Sequence, residues 1–596
     1  MKIGIGKSDI TTYKEGVVML GYGKPFNIMK SISTRLYSRA FVFKEGKTKV
    51  AFVNCEICFI TQSLKNGVLE LLNKQHPKFG YTDKNLLLNA QHTHSGPSGY
   101  SHYGLYNAST PGFVYEIYEG LVKRISNSII EAEKEFIECD IFVGKSEFSP
   151  EKEVGFQRSI KAYLKNPEAN KINNESLNLG INREMVLLKI VSKTGKNLGS
   201  INWFGVHTTN LSNTNTEVSS DNKGYAAKYF EEEMGDDFIA AFAQNSAGDV
   251  SPKFNYNSKR PFYRGKYDGK YEDDTESSKY NGKLQHEKAS EIYNEIANKK
   301  IEIDNIDSEI KYVDFSNIRV NSKFTNGKKN VTTSPSCLGV SFFYGTKRDG
   351  PGMAKPLYLG GKAMAKIVKK YEQLKAPLMP IDWQKRMRKK YKSQGSKAII
   401  IESAARKILG SYNISGMIIP AWSDETVFAL KEFHRKGAFE KNPWTQQVIP
   451  LQIHKIGTLA LASFPFEITT IAAKRLKISL EDILLTDNTY TEVILCPYSN
   501  AYVGYLCTYE EYQVQNYEGG HTVFGEWSLA ALQSEFEKLA IEMMKPKSKR
   551  MIVNDKMPIQ FSEEDLIGFK YFKNSVYKKY LRKKAKLRKK LIKINN

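Results

Sequence analysis

Five times along this chain an apolar stretch of strand character runs into a loop dense in His, Asn, Ser, Thr, Gly or Pro. Leu86–Ala90 leads into Gln91-His-Thr-His-Ser-Gly-Pro97, Ile201–Val206 into His207-Thr-Thr-Asn210, and Phe238–Ala243 into Gln244-Asn-Ser-Ala-Gly-Asp-Val-Ser-Pro252. Leu459–Phe464 leads into Pro465-Phe-Glu-Ile-Thr-Thr470, and Thr491–Cys496 into Pro497-Tyr-Ser-Asn-Ala-Tyr-Val-Gly-Tyr505. Strand ends deliver residues from distant sequence to one edge of a sheet, so this pattern predicts a site assembled there. Amphipathic helical stretches alternate with the strands: Thr61–Gln75, a broken helix in Thr110–Phe136, and Glu467–Ile478 opening directly after a strand. The expected fold class is α/β, with α+β as the alternative: sheets flanked by helices and a site in strand-end loops. Tyr256–Lys283, rich in Tyr, Gly and Lys, reads as a long exposed loop, and Pro377–Lys397 as a solvated basic helix.

The 596 residues carry 88 Lys and Arg against 64 Asp and Glu, a net charge of +24. Twelve of the basic residues, with no acid among them, lie between Phe569 and Asn596, so half of the excess sits in a short tail. That distribution argues against nucleic acid as a partner. In the tail, Val576, Tyr580, Leu587, Leu591 and Ile594 recur at near-helical spacing among Lys and Arg, the pattern of a helix that lies on anionic lipid. The domain expectation is one catalytic unit over 1–545 followed by a basic extension over 546–596. No run of 18 apolar residues and no apolar signal segment after Met1 occurs, so the expected location is cytoplasmic or membrane-peripheral. Six cysteines make no disulfide framework, and the Cys55-Glu-Ile-Cys58 spacing falls in an apolar stretch, Lys49–Ile60, that reads as a buried strand.

His92-Thr-His94 is the sharpest local signal: two imidazoles at a strand end suit metal ligation or acid–base work. His207 also stands at a strand end, in a chain with only nine histidines. A hydrolytic zinc takes three or more N, O or S ligands, and Glu467 offers an oxygen. At a helix start, however, Glu467 could equally answer the helix dipole. Ser251 could act as a nucleophile, a hydrogen-bond donor or a helix cap. It lacks the G-x-S-x-G setting of a serine hydrolase, and no phosphate-binding G-x-x-x-x-G-K-[ST] loop is present.

Taken together the motifs resemble the neutral/alkaline (non-lysosomal) ceramidases. They run in order through Gly4-Ile-Gly-Lys-Ser-Asp-Ile-Thr11, Gly21-Tyr-Gly23, Arg35-Leu-Tyr-Ser-Arg-Ala-Phe41, His92-Thr-His-Ser-Gly-Pro97 and Arg158-Ser-Ile-Lys-Ala-Tyr163 with Asn166-Pro167. Trp203-Phe-Gly-Val-His207, Ser220-Asp-Asn-Lys-Gly-Tyr225, Gly248-Asp-Val-Ser-Pro252, Glu467-Ile-Thr-Thr470 with Arg475-Leu476, Asn500-Ala-Tyr-Val-Gly-Tyr505 and Glu510–Glu518 continue the match. The resemblance implies hydrolysis of the amide of ceramide, or a related N-acyl lipid, to a sphingoid base and a fatty acid. It implies one zinc per chain on His92, His207, Glu467 and Tyr505, with Tyr505 rather than Tyr502 as the liganding tyrosine. His94 would serve as acid–base histidine, Arg158 and Tyr517 as oxyanion donors, and Ser251 as nucleophile, with an activated water as the simpler attacker. The alternatives are another N-acyl lipid or an ester as substrate, or a non-catalytic basic membrane-binding protein on the same scaffold. Glu56, Lys253 and Phe466 depart from the residues usual at their positions in that family, and about 50 residues after Met543–Arg550 are too few for the family's usual C-terminal immunoglobulin-like sandwich.

Overall fold

The computed structural model describes residues 1–24, 27–107, 112–235, 237–254, 269–302, 305–346, 348–414, 416, 420–421, 425–435, 437, 440–487, 489–566 and 582. Its largest sheet has nine strands. Eight follow the order Ile239–Gln244, Asn197–Phe204, Glu184–Ser192, Ile137–Glu147, Lys2–Asp9, Tyr37–Glu45, Thr48–Cys55, Leu86–Ala90, and Lys299–Lys300 pairs beside Ile137–Glu147. Only the outermost pair at each end is parallel. Midway, Lys2 and Ile3 alone join the halves, by pairing with Glu138 and Ile137. The two halves face each other across that narrow seam: Phe52 on one meets Trp203 on the other with ring centroids 5.5 Å apart. A four-stranded sheet, Ile306–Asp314, Val448–Ile456, Leu459–Ser463 and Glu492–Cys496, adds a third wall.

The period-two alternation of strand side chains explains the layering. Phe41 and Phe43 point into the shared core with Leu188, Ile201, Leu461 and Ile494, whereas Ala40 and Val42 face outward beneath helices Gln62–Gln75 and Tyr115–Lys134. Leu187, Phe204 and Phe242 likewise face helices Asp221–Met234 and Asp274–Glu291. Ala460, Ala462, Val493 and Leu495 face Thr470–Leu484 and Ser528–Met544. Three sheet walls thus enclose one core, and a pair of helices backs each wall. This is the mixed α/β architecture expected.

Several local expectations change. Thr110–Phe136 is one unbroken helix, Tyr115–Lys134, because Ile117, Leu121, Ile125 and Ile129 keep one buried face throughout. The part of Tyr256–Lys283 that is described ends in helix rather than loop: Asp273 caps Asp274–Glu291 by accepting from the backbone N–H of Thr275 and Glu276. Residues 255–268 lie outside the described residues, as do the apolar tail positions between 567 and 596. The strand containing Cys55 stops there, and Cys58 belongs to a turn beneath the site. Among the described residues no helix is long and apolar enough to cross a membrane.

Candidate active site

Leu86–Ala90 hands the chain to His92, whose φ of 77° is left-handed. That twist ends the strand, and His92 and His94 both line one cavity. Asn197–Phe204 delivers His207, and a parallel bridge between Thr93 and Thr208 ties the two loops together. Each buried imidazole is oriented from behind: His92 Nδ1 lies 2.6 Å from the Cys58 carbonyl, and His207 Nδ1 2.6 Å from the Ala247 carbonyl. A carbonyl only accepts, so both Nδ1 atoms carry the proton and both Nε2 atoms present a lone pair.

Those lone pairs converge on Glu467, with each Nε2 3.2 Å from Oε2. The Tyr505 hydroxyl lies 3.3 Å from His207 Nε2. Glu467 is not at a helix start. Glu467–Ile468 forms a two-residue strand in parallel register with Tyr505–Leu506, which places Glu467 and Tyr505 side by side. The helix begins at Thr470, and its N-terminus is answered by Asp249, whose Oδ1 accepts from the Thr470 backbone N–H and hydroxyl, both at 2.8 Å. The carboxylate of Glu467 is thereby left to the imidazoles. Burial, with Arg158 adding to it, lowers the pKa of His207.

Two imidazole lone pairs aimed at an anionic oxygen repel one another unless a cation sits among them. The donor set of two nitrogens, a carboxylate and a phenol suits zinc. A second cluster, Cys58 with His92 and His94, fits less well. Burial pushes the Cys58 thiol well above its ordinary pKa, and His92 Nδ1 is already committed to the Cys58 carbonyl.

The cavity above this cluster measures about 200 Å³. His94, Arg158, Tyr505 and Tyr517 line it. His94 Nε2 is 3.1 Å from His92 Nε2, and burial together with the two neighbouring imidazoles pushes its pKa well below the ordinary value. Arg158 is tightly used: Nε donates to Glu518 at 3.0 Å, Nη1 to Asp349 at 2.7 Å, and Nη2 to the Gly248 carbonyl at 2.7 Å and the Tyr505 hydroxyl at 3.1 Å. Its guanidinium lies 5.6 Å from the centre of the Tyr517 ring. Ser251 is fully buried and does not line the cavity; its Oγ donates to Asp349 at 2.7 Å.

The eight residues singled out from the sequence therefore gather at one place, seven around the cluster and cavity and Ser251 behind Asp349. Sequence reasoning missed Asp349, which also accepts from Thr209 at 2.8 Å. Burial opposes its charge, but the Arg158 guanidinium holds its carboxyl below the usual range. It also missed Glu518 and His521, a buried cavity histidine whose ring nitrogens find no partner among the described residues; Tyr502, set aside as a ligand, donates to Glu467 Oε1. The signal available for Glu518 and His521 was their position on the short helix that carries Tyr517. The three departures stay off the cavity: Glu56 pairs with Arg39 at 2.6 Å, Lys253 donates to the Asn210 carbonyl at 3.1 Å, and Phe466 packs against Phe315 and Phe524.

Residues 1–406 and 431–534 match the family model described as neutral/alkaline non-lysosomal ceramidase, N-terminal. A neutral ceramidase of Pseudomonas aeruginosa is 30% identical over 546 residues, covering 91% of this chain and 72% of the relative. Neutral ceramidase B of Dictyostelium discoideum is 30% identical over 572 residues, covering 90% and 72%. A solved ceramidase complexed with C2 superposes with a TM-score of 0.75 at 28% identity, over 94% of this chain and 77% of that one. The crystal structure of the neutral ceramidase from Pseudomonas aeruginosa gives 0.72 at 27% identity, over 94% and 76%. With its imidazole–carboxylate–phenol cluster at the floor of a cavity, the chain belongs to the neutral/alkaline non-lysosomal ceramidase family.

Proposed function

We propose that this protein hydrolyses the amide bond of ceramide, releasing a sphingoid base and a fatty acid, and that it does so with one zinc ion held by His92, His207, Glu467 and Tyr505. The observation that carries the reading is the convergence of two carbonyl-oriented imidazoles on Glu467 beside Tyr505, at the floor of the cavity. Zinc bound there supplies a Lewis acid for the carbonyl oxygen and lowers the pKa of water to about 7. The unit that performs the reaction is residues 1–545.

The protein's own groups do the rest. His94, kept neutral by burial, is free to take a proton from the attacking group and pass it to the leaving amine. Four of the five Arg158 N–H groups are occupied, so one Nη1 N–H remains to meet the developing oxyanion, with the Tyr517 hydroxyl as the second donor. Tyr505 accepts from Arg158, which favours the phenolate character a metal ligand needs. Ser251 enters through Asp349. With its hydroxyl donated to that carboxylate and off the cavity wall, its geometry supports orientation of Asp349 over direct attack.

The test is His92→Ala with metal content and turnover measured on the same preparation. Both are expected to fall together, turnover by at least ~10²-fold. Full metal occupancy with lost turnover, or unchanged turnover, would contradict the ligand assignment.

A further inference from the structure

The largest concentration of exposed apolar side chains among the described residues lies on helix Lys355–Lys375 and the turn that follows it. Leu359 is 54% exposed, Ile367 60%, Tyr371 62%, Leu374 70%, Leu378 86% and Ile381 68%. At about 100° per residue, Leu359, Ile367, Tyr371 and Leu374 fall within roughly 120° of one another, so they form one stripe. The opposite side of the helix is the packed one: Gly361 lies against Val340, and Ala365 and Glu372 are buried. Lys362, Lys366 and Lys370 run along one border of the stripe. Across Lys355–Gln394, which includes the second helix Ile381–Gln394, there are twelve Lys and Arg against two acids.

Monomeric proteins rarely leave such a contiguous apolar stripe in water, so something covers it. The charge decides among occupants. A second copy would bring the same excess of positive charge against itself. The chain's own extension after residue 566 is also basic, with twelve Lys and Arg and no acid from Phe569 onward. An anionic surface that accepts side chains into an apolar layer satisfies both halves of the pattern.

We propose that helix Lys355–Lys375 and the Ala376–Ile381 turn form a membrane-docking surface for anionic bilayers, with Leu374, Leu378 and Ile381 entering the acyl layer and the bordering lysines meeting headgroups. The surface adjoins the substrate cavity through a short element. Val340–Tyr344 carries Phe342 and Phe343 into the cavity wall, while Tyr344 stacks on Tyr358 of the docking helix at 4.4 Å.

The test is co-sedimentation of the full-length protein with vesicles that contain no substrate, either phosphatidylcholine alone or phosphatidylcholine with phosphatidylglycerol, at 0.15 M salt. The expected result is a partition coefficient at least ~10-fold higher on the anionic vesicles. Leu374→Glu with Leu378→Glu is expected to lower it by at least ~10-fold. Lys366→Glu with Lys370→Glu is expected to lower it chiefly at low salt. These side chains are exposed, so thermal midpoints should match the parent and separate lost docking from lost folding. Ile367→Glu provides an independent single-site check. Unchanged partition of all variants would overturn the proposal. A parent dimer in sedimentation velocity that Leu374→Glu with Leu378→Glu dissociates would also overturn it, by showing a second copy on the stripe. Since no ceramide is present, neither result depends on the proposed hydrolysis.

Discussion

At the residue scale, the buried carboxylate of Asp349 is the pivot of the site. It accepts from Ser251 and Thr209 on one oxygen and from Arg158 on the other, and it faces the cavity. Asp349→Asn removes the charge that balances a buried guanidinium, leaving Glu518 alone to do so. Turnover is expected to fall by ~10²-fold or more while metal content stays at one per chain. Ser251→Ala leaves that carboxylate in place and is expected to cost less than ~10-fold. Loss of turnover in Ser251→Ala as deep as in Asp349→Asn would make Ser251 the nucleophile instead. The histidines and Ser251 were legible because their residue types and strand-end positions advertise chemistry. Asp349 was not, because it follows a stretch with no strand signal and acquires its role only through contacts to residues 98 and 191 positions away.

At the scale of elements, the five strands that lead into the site loops could be read from the sequence to within a few residues, since each buries a continuous apolar run. The longest strand, Ile137–Glu147, could not, because exposed and half-buried residues interrupt its apolar pattern. The element that sets the candidate metal cluster could not either. Glu467–Ile468 and Tyr505–Leu506 are two residues each, too short for any period, and their pairing joins loops 38 positions apart. Helix Asp274–Glu291 escaped for a different reason. Its buried face is mostly small and polar, Ser277, Ser278, Asn281, Gly282 and Gln285 packed on Asp221–Met234, with only Leu284 and Ala289 apolar, so no continuous apolar stripe marks it. Gly248 shows how closely these loops fit. A Cβ there would sit 2.7 Å from the Ile468 carbonyl oxygen and 2.8 Å from that of Glu467, both backbone atoms that cannot rotate away. Gly248→Ala is therefore expected to destabilise by ~1–3 kcal/mol and to reduce metal affinity, because the backbone that must move carries Glu467, a proposed ligand. A thermal midpoint and metal affinity equal to the parent would contradict the close approach.

Across the whole molecule, three sheet walls with their helices bring the ends of strands that are remote in sequence to one cavity, and buried charge holds the loops in place. Asp249, which caps helix Thr470–Leu484, and Glu511, which accepts from Thr469 and Asn166, are pushed up to about 6 and about 7 by burial, with Glu518 adding at Asp249 and Asp249 at Glu511. Because the folded state holds these protons more tightly than the unfolded chain, this pair lowers stability as pH rises from about 4 to about 7. Glu511→Gln should remove part of that slope, read as thermal midpoint against pH. An identical slope in the variant would contradict the assignment.

The central claim is a metal-dependent amide hydrolysis. The most direct measurement is release of fatty acid from labelled ceramide by the purified protein, before and after a zinc chelator and after zinc is returned. Release that the chelator abolishes and zinc restores is expected. Release that survives complete removal of the metal, or no release from the fully loaded protein, would contradict it.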